Sequence, residues 1–346
     1  MLRIHFAHLG LICSMLALVA CNASSPDQLI AYQMDQQIWV MNPDGTQQHQ
    51  LMKLDIGAGG PRWSSDGNRI AFTGIWPDGS TAIWIADSKG MNRYQASPTF
   101  DSIDAVWLNQ DMLLTTVVTD TGQTWNNPQA HYVLDLRDGT MREYSLGPES
   151  VVPLPQGDRW LAWNPTSWGL TLYDLSNQPQ QIFPEYGLSG PTAFDISPSG
   201  DEVVFQGRKP TSTDPRPPDR IYRAKVKSDN QLEPQEILAL ECCAEINWSP
   251  DGKWIAVLDQ TNQFHIIDAS TNSVKTIFRP GFLAKSGGTF QWSPDSQWLL
   301  VESMNYGTPG SNNILEVVKI NPQTGIVTRL TNNDKTEFSP DWGVVP

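Results

Sequence analysis

Trp248-Ser249-Pro250-Asp251-Gly252-Lys253-Trp254-Ile255-Ala256-Val257 reads as the end of one strand, a tight turn and the start of the next. Pro250 presets φ at the first corner, Asp251 suits the second, and Gly252 takes the left-handed conformation that returns the chain. The flanking aromatic and β-branched residues suit half-buried strands. The pattern recurs at Trp63-Ser64-Ser65-Asp66-Gly67, Ile196-Ser197-Pro198-Ser199-Gly200 and Trp292-Ser293-Pro294-Asp295, each followed by a short apolar strand. Degenerate copies end at Asp111 and Asp158, and a truncated one reads Phe338-Ser339-Pro340-Asp341-Trp342. The period is about 45 residues, in the range of a propeller blade.

A second pair of strands follows each marker. The third strands read Ile83-Trp84-Ile85-Ala86, Tyr132-Val133-Leu134, Leu172-Tyr173-Asp174-Leu175, Ile221-Tyr222-Arg223, Phe264-His265-Ile266-Ile267 and Leu315-Glu316-Val317-Val318. Four short strands per period predict an all-β chain folded as a single β-propeller. Leu29-Ile30-Ala31-Tyr32, Gln37 to Met41 and a strand near Gln50 supply the second, third and fourth strands of a blade that lacks its first. Thr336 to Trp342 supplies that first strand. The composite blade closes the ring and hides both edges. Seven blades result; six is the alternative if one degenerate copy is miscounted.

The first 20 residues read as a lipoprotein signal peptide, residues 21–28 as a lipidated tether and residues 29–346 as the propeller. Arg3 gives a basic start, and Phe6 to Val19 is an apolar run too short to span a bilayer comfortably. It ends in Leu18-Val19-Ala20-Cys21, which resembles the lipobox of bacterial lipoproteins. That resemblance implies that the Cys21 thiol carries diacylglycerol, whereas the alternative is an ordinary secretory signal that contains a cysteine. The expected location is extracytoplasmic and membrane-anchored: the outer membrane in a diderm host, otherwise the plasma membrane. The formal charge of −14 excludes a basic stripe for nucleic acid.

Ser-Pro-Asp-Gly, a short apolar strand, then Ile38-Trp39-Val40-Met41-Asn42-Pro43-Asp44-Gly45-Thr46 resembles the repeat of TolB-like propellers. Propellers attached to prolyl-oligopeptidase-type hydrolases carry the same repeat. The resemblance to TolB implies an extracytoplasmic role in binding other proteins.

Little in the sequence points to catalysis or to a cofactor. No Gly-x-Ser-x-Gly elbow occurs. His265 lies inside a third strand, His131 begins one and His49 precedes an outer strand, all away from the channel, so no metal site is expected. Glycosidase chemistry needs two carboxylates, and spacing alone selects no pair. The expected function is a non-catalytic protein- or peptide-binding or scaffold module of the cell envelope. The alternative is a carbohydrate-active or hydrolytic propeller using loop carboxylates.

Loops from a fourth strand to the next blade emerge on the same face as loops from second to third strands. The first set carries Asp55, Asp101, Glu149, Glu185, Glu241 and Asp334; the second carries Trp76, Trp125, Trp168 and Tyr306. This acid-rimmed, aromatic-studded face suits a basic or proline-rich peptide, or a stacked carbohydrate. The insertion from Gly207 to Asp219 is proline-rich and locally basic. Cys242-Cys243 is either a strained vicinal disulfide or two buried thiols.

Overall fold

The computed structural model describes residues 27–118, 129–144, 151–164, 169–175, 180–181, 193–207, 218–226, 234–240, 243–277, 283–284, 290–304 and 314–345. They form seven antiparallel sheets, one per blade, and contain no helix. In chain order, blade 1 spans residues 57–95, blade 2 102–144, blade 3 151–181, blade 4 194–238, blade 5 243–277 and blade 6 283–329. Residues 27–50 and 337–345 form blade 7.

Turn chemistry sets the first hairpin of each blade. In blade 5 the Ser249 hydroxyl donates to Asp251 Oδ1 at 2.7 Å and accepts from the Trp254 amide at 2.9 Å. Asp251 Oδ1 also accepts from the Lys253 amide at 3.1 Å, and Gly252 sits at φ 72°. Blade 6 repeats this with Ser293 and Asp295, although Ser296 takes the left-handed position at φ 59°. Ser249 and Ser293 are wholly buried. Each serine has both hydrogen-bonding roles filled across its own turn, which is the work of a turn residue rather than a nucleophile.

The core lies between blades, because alternate residues of every strand face opposite neighbours. Val204 and Ile221 of blade 4 pack against Ile246, Trp248, Ile255, Val257 and Ile267 of blade 5. Ala256, Leu258, Phe264 and Ile266, on the other side of blade 5, meet Phe290, Trp292, Leu299 and Val318 of blade 6. Marker tryptophans Trp63, Trp248 and Trp292 are all buried in such seams. The fourth strands of blades 7 and 1 are only His49–Gln50 and Tyr94–Gln95, which leaves those two blades little outer edge to pair with another chain.

Ring closure occurs as expected, with a different register at the last repeat. The strand Glu337–Val345 pairs antiparallel with Asp27–Met34, which pairs with Gln37–Met41 and that with His49–Gln50. Ser339-Pro340-Asp341 therefore lies inside a strand and makes no turn. Ser339 is at φ 50°, beside a bulge where the pairing skips between Ala31 and Gln33. The true counterpart of Asn247-Trp248 and Gln291-Trp292 is Asp341-Trp342, with Trp342 buried at 4% exposure. The three letters of the turn recur here without the spacing that places them at a hairpin.

Candidate functional site

First strands lie nearest the central channel, and their pleat turns alternate residues toward the two neighbouring blades where the blades converge. In blade 4 Phe194 and Ile196 face blade 3 and Asp195 faces the channel-side edge of blade 5. The same phase places Glu245 and Asn247 of blade 5, Gln291 of blade 6, Asp341 of blade 7, Arg62 of blade 1 and Asp104 of blade 2. Converging first strands of neighbouring blades share no backbone ladder, so Asp195, Glu245, Asn247, Gln291 and Asp341 bridge them. The Trp248 amide donates to Asp195 Oδ2 at 2.6 Å, the Phe290 amide to Glu245 Oε2 at 3.0 Å and the Trp342 amide to Gln291 Oε1 at 2.6 Å. The Trp63 amide donates to Asp341 Oδ2 at 2.6 Å, and Gln291 Nε2 donates to Asp341 Oδ1 at 3.2 Å. First-strand side chains thus clasp blade 4 to 5, 5 to 6, 6 to 7 and 7 to 1, three of them from the position before the marker residue and Glu245 from two residues earlier.

Four of these channel-side groups are carboxylic acids and one is a guanidinium. Burial pushes Asp195 up to about 7, against the opposing amides of Trp248 and Ile196. Burial likewise pushes Glu245 up to about 8, opposed by Asn247 and the Phe290 amide and reinforced by the charge of Asp195. Asp341 is raised by burial too, with Arg62 pulling the other way. Asp195 is only half-buried by surface area although protein surrounds it, which is the situation of a side chain on a channel wall.

The seam between blades 4 and 5 also carries buried polar groups at its mouth-side end. Gln206 Nε2 donates to Asp219 Oδ2 at 2.8 Å on the blade 4 side. On the blade 5 side His265 Nε2 lies 3.0 Å from Asp259 Oδ2, and its Nδ1 lies 3.0 Å from Thr276 Oγ1. Asp219 closes the proline-rich insertion, and Cys243 pairs in register with Asp259. The three histidines stay apart, His49 on the exposed fourth strand of blade 7, His131 buried in blade 2 and His265 in blade 5. Among the described residues no cluster of His, Cys, Asp and Glu has the geometry to hold a metal.

Of the residues expected on the mouth face, Asp55, Asp101 and Asp334 are exposed in loops that enter blades 1, 2 and 7. Trp76 is half-buried in the second-to-third-strand loop of blade 1, with its ring 6.4 Å from that of Trp84. Lys335, next to Asp334, pairs with Asp35 in the corresponding turn of blade 7, so the two sets of loops share a face. Trp125, Glu149, Trp168, Glu185, Glu241, Tyr306, Cys21 and Cys242 lie outside the described residues, as does the side chain of Cys243. The clasp residues were not expected from the sequence. Their signal is the polar residue before the marker position, Asp195, Asn247, Gln291 and Asp341, with Glu245 two residues before Asn247.

No family model matches the chain. The β-propeller domain of the Trilobed protease from Pyrococcus furiosus superposes with a TM-score of 0.60 at 15% identity, covering 90% of this chain and 94% of that one. TolB from Acinetobacter baumannii superposes with a TM-score of 0.55 at 14% identity over 91% of this chain and 66% of that one. The fold is that of a TolB-like propeller. Among curated proteins, a putative Tricorn-like protease N-terminal subunit from Sulfurisphaera tokodaii is 26% identical over 129 residues, or 36% of this chain. The chain matches 65% of that relative's length. The Pyrococcus propeller is described as having an open velcro topology, whereas here the first strand of blade 7 comes from residues 337–345 and its other three from residues 27–50.

Proposed function

We propose that the protein is an extracytoplasmic binding or scaffold module, held to the membrane through Cys21, that docks a protein or peptide on its mouth face. The observation that carries this reading is the acidic mouth: exposed Asp55, Asp101 and Asp334 stand on loops around the channel, with exposed Asp104 on the first strand of blade 2. A cluster of exposed carboxylates attracts a basic segment. The TolB-like fold is in keeping with a protein partner, and the leader ending at Cys21 with an envelope location. The test is recovery of partners from membranes with the anchor intact, comparing the native chain with one carrying Asp101→Lys, Asp334→Lys and Trp76→Ala. A partner of this face is expected to be recovered at least about tenfold less by the variant. Equal recovery would put the docking surface elsewhere.

A second reading rests on Asp195 and Glu245, because carboxyl groups raised toward neutrality are what general acid catalysis uses. Against it, each is held by an amide of the neighbouring blade. Turnover of model glycosides or peptides that is lost in both Asp195→Asn and Glu245→Gln, with the melt preserved, would favour the enzyme.

A further inference from the structure

On the turn face, opposite the mouth, blades 4 and 5 leave an open groove of about 650 Å³. One wall comes from blade 4, with Glu202, Arg223, Lys225 and Gln235; the other is the turn of blade 5 at Ala269 and Asn272. The repeat itself shows why the groove is there. The residue whose carbonyl closes the first hairpin is Trp254 in blade 5, Trp298 in blade 6 and a long arginine in blades 1 and 3 (Arg69 and Arg159), but Glu202 in blade 4. Trp254 packs into the seam between blades 5 and 6, and Trp298 into the seam between blades 6 and 7. A carboxylate in place of an indole leaves the equivalent space in the seam between blades 4 and 5 unfilled.

What lines that space is cationic and held in place. Arg223 occupies the position of Lys319 in blade 6, whose ammonium lies 4.3 Å over Trp298 and donates to the Pro43 carbonyl at 2.7 Å. Arg223 makes the matching bond to the Ala269 carbonyl, pairs with Glu202, and lies 5.3 Å over the Trp248 ring. Its Nη1 also reaches Asn272 Oδ1 at 3.4 Å and its Nε is buried, so what the groove meets is the outer edge of a side chain that is 19% exposed. Lys225 is two residues further along the same strand, on the same face and exposed. Glu202 is committed to Arg223, so Lys225, with Asp201 nearby, is the cation left over in the lining on a chain of net charge −14.

We propose that this groove binds a carboxylate-bearing ligand, held by Lys225 and the exposed edge of Arg223. The volume is that of a pocket for a small molecule or a few residues of peptide. Charge-assisted bonds from a fixed guanidinium and an ammonium are the usual means of holding a carboxylate. The acid is either the terminus of a peptide or a free small acid, and both present the same group.

Calorimetry on the full chain in detergent micelles tests this with four probes: succinate, glutamate, an uncharged-side-chain tetrapeptide with a free C-terminus, and its amide. Saturable binding of at least one free acid is expected. Glu202→Trp, which restores the ring of blades 5 and 6, is expected to weaken it at least about tenfold, and Lys225→Glu to do likewise. A peptide that binds free and not as the amide, with succinate silent, identifies the terminus as the source; succinate binding as well as the peptide identifies a small acid. Absence of saturable binding by every probe, an amide equal to the free peptide, or unchanged affinity in a folded Glu202→Trp protein would each overturn the assignment. If Glu202→Trp fails to give a cooperative melt, Lys225→Glu decides alone.

Discussion

At the scale of the residue, the informative position is the one before each marker tryptophan. Asp195, Gln291 and Asp341 all accept a neighbour's backbone amide, so amide and acid do the same mechanical work there. They differ in charge. Asp195 and Glu245 are raised to about 7 and about 8, above ordinary carboxyl values, so the folded state holds their protons more tightly than the unfolded chain. Their contribution is fully present below about pH 4 and is lost as pH rises through 7 to 8. Exposed turn aspartates behave oppositely: hydroxyls of Thr46 and Ser270 hold Asp44 and Asp268 below the usual range, so their support falls away only in stronger acid. Melting temperature is therefore expected to be about 2–4 °C higher at pH 5 than at pH 8.5. Asp195→Asn should flatten part of that slope, read by calorimetric melts across the interval. An unchanged slope would show that Asp195 is ionised throughout.

At the scale of the element, the strand 337–345 does more than complete a sheet. A methyl group on Gly343 would sit 2.3 Å from Trp63 Cγ, so the last strand is shaped to let the first marker tryptophan lie flat against it. Gly343→Ala should cost about 1–3 kcal/mol through overpacking, seen as a lower urea midpoint with an unchanged slope. The same substitution at Gly139, where a Cβ meets nothing within 4 Å, isolates the strain of a positive φ from the clash. This strand was also the hardest to place from sequence. Ser339-Pro340-Asp341 has the turn's letters, yet Trp342 follows its aspartate directly, whereas in the other copies the tryptophan precedes the turn. Order relative to the tryptophan was the readable sign.

At the scale of the whole molecule, blade number was legible because serine, aspartate and glycine impose the hairpin by local bonding. The channel acids were half legible, as polar letters between apolar ones. Their meaning needed the curvature that brings first strands together. The groove between blades 4 and 5 could not be read, since it follows from a short acid, Glu202, at a position that carries tryptophan in blades 5 and 6 and arginine in blades 1 and 3, a correspondence only the hairpin bonding reveals. Removing residues 337–345 should abolish the cooperative melt, because it takes away buried Trp342, strips the ladder from Asp27–Met34 and uncovers Trp63. The expected loss exceeds about 5 kcal/mol, measurable by calorimetry. Blade 7 also sets an order of events during synthesis. Gln28 and Trp342, 314 positions apart, are joined by a 3.0 Å bond that forms only after the last strand has left the ribosome. Until then the nascent chain is an open fan with a bare strand at its leading edge, slow to mature and open to mispairing. A chaperone that covers the segment 27–34 has the whole time of elongation in which to act.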